Sequence, residues 1–300
     1  MKIGFMLPQF GAMATYQNMM DMAQLAEERD FESVWAADHV IMPTEVSTPY
    51  PYSKSAEYIA DPKGNHLEPF TMLSFIAGCT KRVLMGFTVI VAPYRHPIVT
   101  GKMMASIDVL SQGRLIAGVG AGWLKEEFDA LQVSWKRRWA QTEEHIRIWK
   151  ELWTSDEPAF DGNYYKFKNV QCRPQPVQRP HPPITIGGNG MACFRQIVAL
   201  ADGWQVVSEA PDDVYATNGD LETNLNTLRK LSEESGRDFN TIEITAVIIA
   251  GTAKGVLEDL PRYQQIGVDR IILDFPAFVS DPTQMSKMLE TIASNADMEH

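Results

Sequence analysis

Residues 82–123, RVLMGFTVIVAPYRHPIVTGKMMASIDVLSQGRLIAGVGAGW, hold one complete folding unit. Residues 83–91 are an apolar run rich in β-branched side chains, the pattern of a buried strand. Pro93 interrupts it. Pro97 stands where a first helical turn accepts a residue without an N–H. From there Ile98, Lys102, Met103, Ser106, Ile107 and Leu110 recur at helical spacing. Gly113, just after Gln112, marks the helix end. A second apolar strand, residues 115–119, runs into Gly120, Ala121, Gly122 and Trp123. Strand, helix and strand in this order form a βαβ unit whose strands are parallel, because the crossover is a helix.

The same alternation extends in both directions. Upstream, the pattern predicts a strand over 3–8 and a helix with Tyr16, Met19, Met20, Ala23 and Ala26 on one face. A strand over 33–36 follows, ending in Asp38 and His39, and then a helix over 68–79. Downstream come helices over 124–131 and 139–153. Asp161-Gly162 between aromatic runs signals a hairpin. A proline-rich bridge over 174–183 leads to a strand over 184–186 that ends in Gly187, Gly188, Asn189 and Gly190, then a helix over 191–201. Strands over 203–207, 242–250 and 270–275 alternate with helices over 211–235 and 256–266, and Asp281-Pro282 opens a last helix. Counting the pair 124–131 and 139–153 as one connection, eight strands thus alternate with eight helical segments in 300 residues. Count and length match an α/β fold of the (β/α)8 TIM-barrel type, one domain over 1–300, with a small β-hairpin inserted before strand 5. Rossmann-like two-domain folds alternate in the same way.

Composition narrows the partners. Hydrophobic residues make up 45% of the chain, ample for a large core, and the net charge is −11. That charge argues against nucleic acid and anionic membranes, and an acidic ligand needs a local basic patch. The three cysteines are scattered without a CxxC, which fits a reducing cytoplasm and neither a disulfide framework nor structural zinc. No apolar run approaches the roughly 18 residues of a membrane span. The opening Met-Lys passes at once into a strand-like run, so no secretory segment is expected. The histidines show no HExxH or paired spacing, so no metal site is expected.

In a barrel, the loops after the strand C-termini hold the ligand. Asp38, His39, Thr88, Val89, Gly120, Ala121, Gly122, Trp123, Gly187, Gly188, Asn189 and Gly190 all fall there. Glycines before the helix at Met191 let backbone N–H groups approach a phosphate, although an ordinary βα turn has the same composition. Gly118-x-Gly120-x-Gly122 departs from the dinucleotide fingerprint, because its third glycine comes one residue early and no acid ends a strand about twenty residues on. His39, directly after Asp38, is the candidate proton donor. No G-x-S-x-G elbow is present, so acyl transfer is not expected. His145 with Glu143 and Glu144 reads as a solvated helix face, and Trp135, Trp149 and Trp153 as core or interface. Residues 41–66, an irregular segment with Tyr50, Tyr52 and Tyr58, read as a cover for the substrate pocket or a dimer contact.

These residues resemble the bacterial luciferase-like flavin and deazaflavin oxidoreductases, and within them the F420-dependent branch. The likeness covers nearly the whole chain. It rests on KIGFMLPQFG, Trp35-Ala36-Ala37-Asp38-His39-Val40, MGFTVIVAPYRHP, IDVLSQGRLIAGVGAGWLKEEFDAL, FDGNYYKF, PVQRPHPPITIGGNG and ALADGW. The resemblance implies a barrel, usually a homodimer, that binds its flavin at the C-terminal face. It places Asp38 and His39 beside the ring as the catalytic pair, and Thr88-Val89 in a bulge behind the ring, often with a non-prolyl cis peptide. It sets Gly120, Ala121 and Gly122 along the cofactor, and Gly187, Gly188, Asn189 and Gly190 at its phosphate. Trp123 stands where the sugar-phosphate dehydrogenases of the branch carry a catalytic Glu. That disfavours sugar-phosphate oxidation and implies an apolar pocket. The implied activity is F420-dependent hydride transfer between reduced deazaflavin and a small organic substrate bearing a C=C, C=N or C=O bond. The alternative is an FMNH2-dependent monooxygenase using O2 and a partner reductase, and a third reading is a barrel that has lost activity. Arg173, Arg179 and Arg195 are candidates to meet the acidic tail of F420.

Overall fold

The computed structural model describes residues 1–51, 61–208, 220–275 and 281–298. Its main sheet closes on itself through eight parallel strands: β1 (Lys2–Met6), β2 (Ser33–Ala36), β3 (Leu84–Phe87), β4 (Leu115–Gly120), β5 (Ile184–Gly187), β6 (Gly203–Val207), β7 (Glu243–Ile249) and β8 (Arg270–Asp274). β1 pairs with both β2 and β8, and β4 pairs back onto β3 at Leu115 and Met85. The fold is a (β/α)8 TIM barrel. Strands covered by helices outside and side chains inside are buried on both faces, and all six residues of β4 are. The expected hairpin, Phe160–Asp161 against Lys166–Phe167, precedes β5.

Residues spaced two apart fill the barrel interior. Trp35 is fully buried there with Ile116, Val247 and Ile272, and Met6, Leu84 and Val207 pack against them. Space for the indole comes from a missing side chain: a Cβ on Gly86 would lie 2.2 Å from the Trp35 ring. Below it, at the N-terminal end, Arg270 joins Glu32 and Glu243 in a buried charge cluster. A cavity of about 780 Å3 opens at that end, lined by Lys2, Glu32, Thr185 and Arg270. Barrel chemistry sits at the opposite, C-terminal face, so this cavity is not the site.

Several of the motifs in the sequence turn out to be scaffold. Asp108 is fully buried and ties down the proline-rich bridge, accepting from Val177 N at 2.6 Å and Gln178 Nε2 at 2.7 Å. Gln112 itself ends the helix Pro97–Ser111 in the left-handed region at φ 60°, and Gly113 follows at 83°. The Arg114 guanidinium reaches back to the Thr80 hydroxyl at 2.7 Å and to the carbonyls of Ala77, Thr80 and Val83. Asp202 accepts from Ile184 N at 2.8 Å, and Asp269 repeats this with Ile244 N at 2.7 Å.

The run 83–91 does not form one strand. β3 stops at Phe87, a cis peptide links Thr88 to Val89, and Ile90–Val91 pairs separately with β4. Two residues expected on buried helix faces lie outside. Tyr16, at the start of its helix, is 65% exposed and rests on the rim of Phe75. Leu110 is 66% exposed, because its helix packs between the helices Pro69–Cys79 and Arg138–Thr154 on its other sides. The supposed solvated face at Glu144 and His145 is buried. It seats the hairpin: Glu144 accepts from Asn163 N at 2.6 Å, and His145 Nε2 meets the Tyr165 hydroxyl at 3.0 Å. Burial pushes His145 down to about 3, so it stays neutral. Trp149 and Trp153 are fully buried. The helix expected over 211–235 is seen as Leu221–Ser235, and residues 209–219 lie outside the described part.

Candidate active site

At the C-terminal mouth, the chain after β3 forms the floor. The Val89 side chain crosses the opening between β4 and β5. A Cβ on Gly120 would lie 2.6 Å from one Val89 methyl, and a Cβ on Gly187 would lie 2.6 Å from the other. Gly118 likewise makes room for the Phe87 carbonyl, to which Gln205 Nε2 donates at 3.1 Å. The first two glycines of GVGAGW therefore serve close packing inside a strand. Gly122, at φ 83°, turns the chain beyond it.

Asp38 and His39 leave the end of β2 in different directions. Asp38 is buried and saturated: Arg95 grips it with two bonds of 2.7 and 2.9 Å, and Val91 N donates at 2.9 Å. Burial raises its pKa, and the Arg95 fork and the Val91 N–H oppose that rise. Arg95 also reaches Glu68 at 2.9 Å, and Glu68 caps the helix Pro69–Cys79 through Thr71 N. The ion pair thereby locks β2, the turn after β3 and that helix together.

His39 meets Glu127, a residue that nothing in the sequence singled out. His39 Nδ1 lies 2.8 Å from Glu127 Oε2. The Glu127 carboxylate is fully buried and also accepts from Val40 N at 2.6 Å, Ile41 N at 3.2 Å and the Tyr94 hydroxyl at 3.0 Å. Burial, with Glu127 beside it, pushes Tyr94 well above its usual range, so it remains a donor. A carboxylate only accepts, so the neutral imidazole of His39 carries its hydrogen on Nδ1, facing Glu127. Next to Glu127, Glu126 accepts from Ser47 N at 2.8 Å, the Ser47 hydroxyl at 2.6 Å and Thr48 N at 2.9 Å; although burial opposes it, these donors hold Glu126 down at about 2.

Aromatic rings wall the mouth on this side. Trp123 stands edge-on to His39 at 6.3 Å and to Tyr50 at 4.9 Å. Phe10 contacts His66 at 5.0 Å, and His66 lies 6.4 Å from His39. His66 directs Nδ1 at the Gly64 carbonyl, 3.0 Å away; burial lowers its pKa, and its buried Nε2 has no hydrogen-bond partner among the described residues. Tyr52 and Tyr58 lie outside the described residues.

Across the mouth, Gly187, Gly188, Asn189 and Gly190 lead into the helix Met191–Leu200. Trp204 Nε1 holds the Gly188 carbonyl at 2.6 Å, and Gly188 N donates to the Gln205 carbonyl at 3.1 Å. Among the described residues, no side chain caps the helix and nothing would lie within 4 Å of a Cβ on Gly190, which has φ 98°. A helix start without a side-chain cap there suits a phosphate. Of the cations expected near it, Arg173 is engaged by Asp156 at 2.7 Å. Among the described residues, no cluster of three or more His, Cys, Asp or Glu is arranged to hold a metal ion, and no helix is long and apolar enough to cross a membrane.

The sequence profile of the luciferase-like monooxygenase family matches residues 1–263. An uncharacterized protein of Mycobacterium tuberculosis is 30% identical over 256 residues, covering 85% of this chain and 86% of its own length. An FMNH2-dependent dimethylsulfone monooxygenase of Pseudomonas putida is 30% identical over 203 residues, 65% of this chain and 52% of the relative. Among solved structures, the coenzyme F420-dependent tetrahydromethanopterin reductase of Methanopyrus kandleri superposes with a TM-score of 0.76 at 15% identity, covering 98% of both chains.

Proposed function

The chain belongs to the luciferase-like monooxygenase family of flavin- and deazaflavin-dependent oxidoreductases, and from that premise we propose that it is an F420-dependent oxidoreductase acting on a small organic C=C, C=N or C=O bond. The observation that carries this reading is the His39–Glu127 pair at the barrel mouth. When bound, F420 supplies a hydride and has no oxygen-activating nitrogen at ring position 5.

In this reading the chain's residues divide the remaining work. Glu127 holds the Nδ1 proton of His39 and fixes the ring, so that Nε2 gives or takes the proton that accompanies hydride transfer. Val89, with Gly120 and Gly187 beneath its methyls, offers an apolar ledge for a planar ring, next to Ala121 and Gly122. Gly188, Asn189, Gly190 and the helix start take the phosphate. Asp38, saturated by Arg95, acts by holding the turn that carries Val89. Trp123 and Tyr50 exclude water from the substrate side. The reading includes a homodimer in the cytoplasm.

A second reading, an FMNH2-dependent monooxygenase with a partner reductase, draws on the Pseudomonas putida relative. Fluorescence titration with F420 and FMN side by side separates the two. Micromolar or tighter binding of F420 alone supports the first. Preference for FMN, with oxygen uptake that depends on FMNH2 and substrate, overturns it.

A further inference from the structure

The acids around the mouth have their partners, with one exception among the described residues. Asp38 and Glu68 share Arg95, Glu126 holds Ser47 and Thr48, and Glu127 has four donors. The Asp274 side chain, at the end of β8, has no hydrogen bond or ion pair, and burial is what acts on it.

Its direction follows from strand alternation. The Arg270 guanidinium lies 5.6 Å from the centre of the Trp35 ring, and Ile272 packs against Trp35, so both point into the barrel. Asp274, two residues further on, points the same way and stands one layer nearer the mouth. Its register partner on β7 is Ile249, and Met6 and Val207 belong to the apolar interior just beneath. Asp274 is only partly buried, whereas Arg270 to Leu273 before it are buried. This surround pushes it up to about 7.

A carboxyl left alone in apolar surroundings gains most from a cation, which restores its charged form and supplies a charge-assisted hydrogen bond. A neutral hydroxyl returns much less. The chain's net charge of −11 also favours cations at its surface.

We propose that Asp274 binds a positively charged nitrogen of the substrate, which places the substrate among iminium ions and amines. For the chemistry, this rests on the oxidoreductase reading above. A bound reduced deazaflavin would supply the hydride to the iminium carbon and be left oxidised; the C=N π pair would become the nitrogen lone pair, and the neutral amine would take a proton from His39 Nε2 to become the ammonium ion held by Asp274.

Calorimetry at pH 8 with benzylammonium and its neutral isostere benzyl alcohol tests this on the wild-type chain, Asp274→Asn and Asp274→Glu. The wild type is expected to bind benzylammonium about tenfold tighter than the alcohol; Asn abolishes that preference and Glu retains it. F420 titrations beside them are expected to be unchanged by either substitution. Absence of a preference in the wild type, or equal losses for both probes in Asp274→Asn, overturns the proposal. Failure of the wild type to bind F420 overturns the F420 reading alone, because the amine arm is read without cofactor.

Discussion

His39 and Glu127 are separated by 88 residues of chain and meet at 2.8 Å on the barrel mouth, where a fully buried carboxylate fixes which imidazole nitrogen carries the hydrogen. Glu127→Gln reverses that assignment. The amide keeps an oxygen for Val40 and Ile41 N–H and turns its NH2 toward His39, so Nδ1 becomes the acceptor and the hydrogen moves to Nε2. Imidazole 15N shifts report the exchange directly. Turnover is expected to fall roughly 10²-fold or more with cofactor affinity little changed. An unchanged tautomer in the variant removes Glu127 from the mechanism.

Gly120→Ala sets a methyl against Val89 and is expected to cost about 1–3 kcal/mol of stability. In the Val89→Ala background the obstructing methyl is gone, and the same substitution should be nearly neutral. Urea unfolding of the four members of this cycle measures the coupling. Additive effects would show that the two side chains do not compete for space.

Arg95→Met leaves Asp38 buried without its cation and should lose about 3–5 kcal/mol. The double variant Arg95→Met/Asp38→Asn removes the orphaned charge and should recover part of it. Denaturant midpoints at pH 7 decide. A double variant as unstable as Arg95→Met would mean that Arg95 stabilises through packing over Phe70, where it lies 4.9 Å from the ring centre.

Asp274 gives a pH signature in stability. Its folded pKa of about 7 lies above the ordinary 3.8, so between those values the folded state binds more protons than the unfolded state. Stability from this group therefore falls as pH rises from about 4 to about 7 and stays low above that. Asp274→Asn removes the cost. Its Tm should exceed that of the wild type by roughly 2–6 °C at pH 8 and by much less at pH 4.5. Equal differences at both pH values would show that the carboxyl titrates normally.

Trp204→Phe removes the indole N–H that holds the Gly188 carbonyl at 2.6 Å. About 1 kcal/mol of local order is lost with that bond, so cofactor affinity should drop about fivefold, and the cavity left by the fully buried indole should lower Tm as well. Equilibrium titration measures it.

The barrel was legible where local signals agree. Pro97 and Gly113 bracket a helix between two apolar strands, and this one unit, repeated, predicts the topology. The break at Val89 was not legible from the residues themselves, because Thr88 and Val89 suit a strand as well as their neighbours do; only the resemblance to a family implied it. Glu144 and His145 look like a solvated face because their partners are backbone and hydroxyl groups of a hairpin about 20 residues later. Glu127 was missed for the same reason over a longer span: its donors come from Val40, Ile41, His39 and Tyr94, and spacing along the chain carries no trace of them. Asp274 did leave a signal, an acid closing an apolar strand, which in a barrel points at the mouth.

Glu126 and Glu127 are adjacent in a helix of only six residues, yet one holds Ser47 and Thr48 while the other holds His39, Val40 and Ile41. Residues 47–48 and the His39 ring therefore stand on a shared foundation. A change that shifts Ser47 or Thr48 is passed through one turn of helix to the seat of the histidine, whereas changes on the opposite wall of the mouth leave that seat untouched.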